Sequence, residues 1–548
     1  MLRAIAAILF VSAVGCGAEQ PGEDPNDQPP TLEVLSPSRG TQTQGGQVTV
    51  TGRVTDDKKG VKVNVNGTEV TPAADGSFLA TVEVAPGVSI IETHAIDSHG
   101  HDIRDARSVM TGWLVPTDGT LTSQLAAAVS PQVLTKVGNV LSTQAEAIDF
   151  NAAALAMNPV YNNTSCLGAV LDIESVALSN IDVALTPTAG TLDAHVTIDN
   201  VEIVVNAKYR VACAGGSTTI RVSTTQAHIN GGLALAVSGG KLSATLPTSS
   251  VQLDGFNIDI GGIPGALESL IRGEVRKAAE KAITNVIRDK VPALANDAFA
   301  NLLTAPFSAD LLGTTTTVTA TPGHIVVSPQ GLFATVNTQV VVAGGEGGMF
   351  VQQVGAVSQS MMGTTGVGVA VANDTINQLF AGMWAAGALE QTISLEAIPA
   401  LRAFLGSDAA ALDIKFALPP TVSSSTGALE LAIGDMMLDV KDASGNEIQK
   451  IAMSIRTSLD IAPSQAGTLK LKVGAPEIFA QVLTQAEVDF PLTDAQFEGI
   501  IGGAWGLVEG QANEALEGIA LPSVMGVSLG TPTVDGRDGF LIADVPVQ

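Results

Sequence analysis

The sequence predicts an α+β chain in which a small all-β module precedes a larger body built from two halves with one plan. Three observations predict it. Strand-length segments of strict apolar–polar alternation recur through residues 31–548. The chain holds 57 Gly and only 4% aromatics, so its 45% hydrophobic content rests on Ala, Val, Leu and Ile, which suit pleated sheets. The order short helix, strand meander, long helix then occurs twice in the body. At 548 residues the chain exceeds one compact core, and its hydrophobicity excludes bulk disorder. The formal net charge of -27 repels phosphate backbones and acidic head groups. That excludes nucleic acid as a partner, and adhesion to anionic membranes through a basic patch.

Residues 1–15 carry Arg3 and then the apolar run Ile5 to Val14, an export signal too short to span a bilayer. The run closes on Ala13-Val14-Gly15-Cys16, which resembles the bacterial lipoprotein processing box. The resemblance implies that Cys16 becomes a lipidated first residue, and Gly17 is similar to the residue found in proteins sent on to the outer membrane. A lipid-anchored location at the bacterial outer membrane, facing the periplasm or the cell exterior, is therefore expected. More than one acyl chain is needed for stable anchoring, each buried methylene contributing about 0.8 kcal/mol. No later stretch reaches 18 apolar residues, so no second crossing is expected. For the other two cysteines, Cys166 and Cys213, an oxidising compartment predicts one disulfide, the alternative being two buried free thiols. Residues 16–30 are Pro-rich and acidic, an extended solvated tether.

Residues 31–112 read as a β module. Short alternating runs such as Val48 to Val50 and Val61 to Val65 are separated by Asn66-Gly67 and Asp75-Gly76, residues that tolerate positive φ in tight turns. Ser36-Pro37 with Gly40, Thr51-Gly52 before Asp56, Val65-Asn66-Gly67, Asp75-Gly76-Ser77-Phe78 and Ala95-Ile96-Asp97 follow in order. The pattern resembles the bacterial Ig-like modules of the glucodextranase B-domain type, which implies a β-sandwich acting as a spacer.

The first half of the body, residues 113–310, opens with a helix over about 131–148 that Ser130-Pro131 starts and whose apolar face is Val133, Val137, Val140 and Leu141. Between 191 and 211 the set Leu192, Ala194, Val196, Ile198 alternates with Asp193, His195, Thr197, Asp199; the alternation resumes with Val201, Ile203, Val205, Ala207. Such length means a sheet with one dry face and one wet face. A long amphipathic helix over about 264–303 follows, with Leu267, Ile271, Val275, Ala278, Ala282 and Val286 at helical spacing; Pro292 is expected to end or kink it. The second half, residues 311–548, repeats the order. A helix over 374–389 carries Ile376, Leu379, Phe380 and Met383; strands follow, then a helix over 494–518 with the capping pair Thr493 and Gln496, then a strand pair in 524–547.

Three stretches of the second half carry a family likeness: Val326-Val327-Ser328-Pro329-Gln330-Gly331-Leu332, the run Gly366 to Leu389, and Leu521 to Val545 with Gly526-Val527-Ser528-Leu529 and Gly539-Phe540-Leu541-Ile542. They resemble the bactericidal/permeability-increasing protein family of the tubular lipid-binding superfamily. The resemblance implies a boomerang of two helix-wrapped barrels joined by a central sheet, each with an apolar tunnel for phospholipid, fatty acid or another acyl-chain ligand. Cys166 and Cys213 are similar to the single disulfide of that family's N-terminal barrel. The expected lining is the apolar helix positions Val133, Val137, Leu141, Leu267, Ile271, Val275, Ala278, Ala282, Val286, Ile376, Leu379, Phe380 and Met383. Extracting a fourteen-carbon chain from a membrane needs about 10 kcal/mol of compensating burial, which calls for an enclosed slot. The same residue pattern also permits barrels packed solid, and then a structural or adhesive surface protein.

Catalytic and metal readings fare worse. Gly526-Val527-Ser528-Leu529-Gly530 fits the G-x-S-x-G pattern but lacks the strand-then-helix context, and no histidine follows it, the last being His324. His94, His99 and His101 with Asp97 and Asp102 are candidate metal ligands on what reads as an exposed polar loop. Gly344 to Gly348 reads as a flexible loop without the Lys-Ser/Thr of a phosphate cradle. The expectation is a non-enzyme without cofactor or metal.

Overall fold

The computed structural model describes residues 28–547, apart from positions 354 and 364, the stretches 398–401, 403–404, 425–428, 463–467, 486–491, 516–518 and 521–529, and most of 263–306. Cys16, Leu267, Ala278, Ala282, Val286 and Ser528 lie outside the described residues. The fold is α+β: an Ig-like sandwich, two helix-covered lobes, and a central sheet to which both halves of the body contribute.

Period-two patterning builds the Ig-like module. Val48, Val50 and Val54 of strand Gln47–Thr55 point inward while Thr49, Arg53 and Thr55 point out. A three-stranded sheet (Thr31–Ser36, Gln47–Thr55, Ser77–Glu83) faces a sheet containing Lys62–Val65, Gly87–Ile96 and Asp102–Pro116. Val50, Val63, Val65, Ala95 and Val109 fill the space between them with no exposure. The last of these strands does not stop at the expected boundary after residue 112. Residues 102–111 pair with Gly87–Ile96, whereas 113–116 pair with Met349–Gln352 of the body. Gly112 is the joint. Its φ is +129°, and a Cβ there would sit 2.6 Å from Val351 Cγ1, so only glycine fits.

The central sheet has seven strands, in the order Phe307–Leu311, Thr314–Ser328, Gly331–Val342, Leu121–Val129, Val367–Ala372, Phe540–Val545, Thr533–Arg537. Leu121–Val129 and Val367–Ala372 are antiparallel neighbours, and each runs directly into a helix, Pro131–Glu146 and Asn373–Ala385. One strand–helix unit used twice in opposite directions thus leads the two halves away from a shared sheet. Pro131 occupies the first turn as expected, but Ser130 does not cap its own helix; its hydroxyl accepts the Gly366 N–H at 3.0 Å, tying one unit to the start of the other.

The N-terminal lobe centres on strands Leu192–Val211 and Ala214–Ser238, paired from Val211 opposite Ala214 to Leu192 opposite Leu233. Its alternation follows the sequence, including the change of phase. Asn200 takes a left-handed conformation (φ +50°) opposite Thr225, and burial switches phase on both strands at that level. The dry face therefore stays inward beyond the corner. Helix Pro131–Glu146 covers this lobe, and residues 271–277 are helical with Ile271 and Val275 buried. Pro292 and residues 293, 295 and 296 are helical as well. The C-terminal lobe is a seven-stranded sheet centred on Leu429–Asp442, Glu447–Ala462 and Thr468–Gln485 and covered by helix Asp494–Ala515. That helix starts with the expected reciprocal cap: Thr493 N–H donates to Gln496 Oε1 (2.9 Å) and Gln496 N–H to Thr493 Oγ1 (3.3 Å).

Candidate functional site: the apolar interior of the body

The interior of the N-terminal lobe is one continuous cluster of 30 buried side chains, all Val, Leu, Ile or Ala among the described residues. It runs from helix Pro131–Glu146 through the two long strands and reaches the central sheet at Val327, Leu332 and Val367. Among the described residues no buried aromatic or methionine sits in it; Phe150, Met157, Tyr161, Tyr209 and Phe256 only border it. The lobe's space is therefore divided by short branched side chains. Between Val160, Leu171, Ile173, Ile203, Val205, Val222 and Val275 lies a cavity of about 10 Å³ with no polar group in its lining. That is about one water probe, and a site of this chemistry stays dry.

Of the expected lining residues in this half, Val133 and Val137 are buried in the cluster and Leu141 is packed against it. Ile271 is in the same cluster, and Val275 also contacts the cavity. Cys166 and Cys213 are joined in a disulfide, Cα–Cα 4.2 Å, clamping the turn between the two long strands to strand Leu167–Ala177.

The second expected group falls elsewhere. Helix Asn373–Ala385 is divided between two apolar clusters. Leu379 and Met383 pack with Val340, Val342, Ala388 and Leu389 over the central sheet, and Ile376 and Phe380 pack with Val422, Leu429, Leu431 and Leu541. The helix is held by polar side chains that apolar periodicity does not register. Asn373, Asp374, Asn377 and Gln378 are each no more than 1% exposed. Asn377 clasps a strand backbone, accepting the Val422 N–H at 2.7 Å and donating to the Val422 carbonyl at 3.0 Å. Gln378 donates to the carbonyls of Thr117 and Gly119 and accepts the Val340 N–H. Asp374 accepts the Gln353 N–H at 2.8 Å, and Asn373 donates to Ser424. Four elements are pinned to one helix through amides and a carboxylate, and the bonds of Asp374, Asn377 and Gln378 meet the need of buried backbone groups. The signal was in the sequence as Asn373/Asn377 and Asp374/Gln378, two polar pairs at i, i+4 in an apolar run.

The C-terminal lobe's own core is filled by bulkier groups, Phe497, Trp505, Met436 and Met453 among Leu, Ile and Val. Trp505 Nε1 donates to the Gly474 carbonyl at 2.8 Å, which fixes the ring between helix and sheet.

The remaining candidates resolve into structural roles. Asp97 organises the loop after strand Gly87–Ile96: Oδ1 accepts the N–H groups of His99, Gly100 and His101, and Oδ2 lies 2.6 Å from His101 Nδ1. Burial would raise this carboxyl, but the bond from His101 and the backbone N–H donors outweigh it and hold the pKa at about 2. His94 instead faces Asp102 at 3.0 Å. Among the described residues no group of three or more His, Cys, Asp or Glu is arranged to hold a metal ion. The glycine-rich segment at 344–348 is not a free loop: a Cβ on Gly345 would lie 2.4 Å from the Gly382 carbonyl oxygen, so glycine lets it lie on helix Asn373–Ala385. No helix among the described residues is long and apolar enough to cross a membrane.

The chain is similar to several solved structures. The crystal structure of lipopolysaccharide binding protein aligns over 78% of this chain and 99% of its own, at 14% identity and a TM-score of 0.43. The solution structure of latherin covers 30% of this chain and 82% of its own (16% identity, TM-score 0.19). The fibronectin(III)-like modules of Clostridium thermocellum CbhA cover 34% and 92% (13% identity, TM-score 0.13). No curated protein matches the chain at a significant level. Residues 30–113, the whole Ig-like module, match the family described as Glucodextranase, domain B.

Proposed function

We propose that the chain is a non-catalytic, membrane-anchored protein that holds an acyl-chain ligand in its N-terminal lobe. The observation that carries this reading is the lobe's interior, all-aliphatic among the described residues, with a wholly apolar cavity where Val275 of the covering helix meets the sheet. A lumen bounded by Val, Leu and Ile presents no polar partner and no bulky ring, so what favours entry is burial of hydrocarbon alone. Sites for drug-sized ligands occupy about 300–1,000 Å³, so loading requires the residues around Val275 to part from strands carrying Ile203, Val205 and Val222. Cys16 is the anchor in this reading, and the acidic segment 17–30 the tether to the outer membrane.

The test is native mass spectrometry of protein extracted in mild detergent, followed by displacement of a fluorescent fatty acid. Co-purified phospholipid or fatty acid supports the reading, as does weakened probe binding in Val222→Phe with its fold retained. Protein that repeatedly emerges empty and takes up no probe refutes it. A second reading, a solid structural or adhesive surface protein, is favoured by the cavity's present size of about 10 Å³; that same empty outcome would establish it. For the anchor, Cys16→Ser should abolish palmitate labelling and release the protein from the membrane fraction, and retention of both would exclude it.

A further inference from the structure

The Ig-like module, read from sequence as a spacer, is seated on the C-terminal lobe through a buried charge lock. Asp435 lies at a bulge in strand Leu429–Asp442, with φ +41° and no exposure. Its Oδ1 accepts from Arg39 Nη1 at 2.6 Å, and its Oδ2 accepts the Ser108 backbone N–H at 2.8 Å; both donors belong to the module. Ser108 Oγ lies 2.7 Å from Ser454 Oγ, and Ser454 Oγ also accepts the Asp435 N–H. Arg39 further donates to the Ala106 carbonyl and to Gln481. A second arginine, Arg104, donates to the Ala480 carbonyl and pairs with Glu498 of helix Asp494–Ala515. Gly434 makes room for the contact, since a Cβ there would stand 2.7 Å from Ser108 Cβ. Alongside, Met110, Val351 and Leu418 form a fully buried apolar patch with Val88 and Leu114.

We propose that this lock makes the module a brace, which seats the C-terminal lobe in one orientation and leaves the N-terminal lobe as the free end of the molecule. Two arginines of the module, Arg39 and Arg104, meet Asp435 and Glu498 of the lobe, while the module's own Asp105 and Glu92 stand 4.0 and 3.6 Å from Arg39 and Arg104. A buried ion pair of this kind fixes register more than it adds stability. Burial raises the Asp435 carboxyl above its usual value, against the pull of Arg39 and the N–H donors. The lock rests on geometry: a carboxylate with two donors from another domain, presented on a left-handed residue that Asp and Asn tolerate best.

The test uses the full chain and amide hydrogen exchange with small-angle scattering. Arg39→Glu sets a carboxylate against Asp435 and should lower protection of the Ser108 and Asp435 amides by about tenfold or more, with an increased radius of gyration. Adding Asp435→Asn, which keeps the backbone conformation and supplies a donor, should restore most of both. Unchanged protection in Arg39→Glu would overturn the brace. So would a loss that extends to the module's Val50 and Val63 core and is not rescued, because the contact would then be one folding unit's interior rather than a lock between two.

Discussion

The two lobes descend from one strand–helix unit on one central sheet, yet they are filled differently. The N-terminal interior is made of aliphatic side chains only among the described residues, closed at one end by the Cys166–Cys213 bond. The C-terminal interior is plugged by Trp505, Phe497, Met436 and Met453, and its flank carries the Ig-like module. A plan can thus be duplicated while its interior is assigned to opposite ends. Small branched residues leave a sheet–helix interface able to part, whereas a ring hydrogen-bonded at its edge fixes the separation.

The largest expected effect breaks the plug. Trp505→Ala removes an indole that is 9% exposed and leaves the Gly474 carbonyl without its donor, a loss of about 4–5 kcal/mol. Denaturant-dependent hydrogen exchange should place this loss in the C-terminal lobe, with the long strands of the N-terminal lobe unchanged. An equal loss in both lobes would show that they unfold as one and that the contrast has no energetic meaning.

The converse experiment is slightly smaller. The disulfide closes a sequence separation of 47 residues, so Cys166→Ser with Cys213→Ser should cost the N-terminal lobe about 3–4 kcal/mol. Thermal unfolding should then split into two transitions, the lower one belonging to that lobe. If both variants depress the same transition, the lobes are coupled through the central sheet.

That coupling can be probed at helix Asn373–Ala385, which packs over the central sheet and against strands of the C-terminal lobe. Asn377→Ala leaves the Val422 N–H and carbonyl unpaired in a buried setting, a cost of about 2–3 kcal/mol. Since Thr421 Oγ1 accepts the Val88 N–H, the first amides to lose protection should be those of the C-terminal lobe and the module beside it. Loss confined to the N-terminal lobe would reverse the assignment of this helix.

Much of this was legible from the residues. Alternation gave the long strands and even their change of phase at Asn200, because period-two burial leaves a direct trace. Glycine and asparagine marked the module's turns, and the expectation of export predicts the disulfide. What was hidden depends on contacts between residues far apart in the chain. Arg39 and Asp435 are 396 positions apart, and nothing local marks either as a lock. In the helix over 374–389 the apolar positions Ile376, Leu379, Phe380 and Met383 stand out, whereas the anchoring of Asn377 and Gln378 to distant backbone groups leaves no periodic trace. The packing state of an interior is equally invisible to periodicity, which places a side chain inside without saying how much space remains.

The smallest effect sharpens the comparison at the helix starts. Thr493 makes a reciprocal cap with Gln496, whereas the hydroxyl of Ser130, the residue before helix Pro131–Glu146, is spent on the Gly366 N–H. Thr493→Ala should therefore destabilise helix Asp494–Ala515 by about 1 kcal/mol, read as faster exchange of the Gln496 and Phe497 amides with the deeper core unmoved. Ser130→Ala should leave its own helix intact and instead loosen Gly366, at the start of the strand that feeds the second helix. Fraying of helix Pro131–Glu146 in Ser130→Ala would mean that the hydroxyl caps after all, and that the two units begin their helices in the same way.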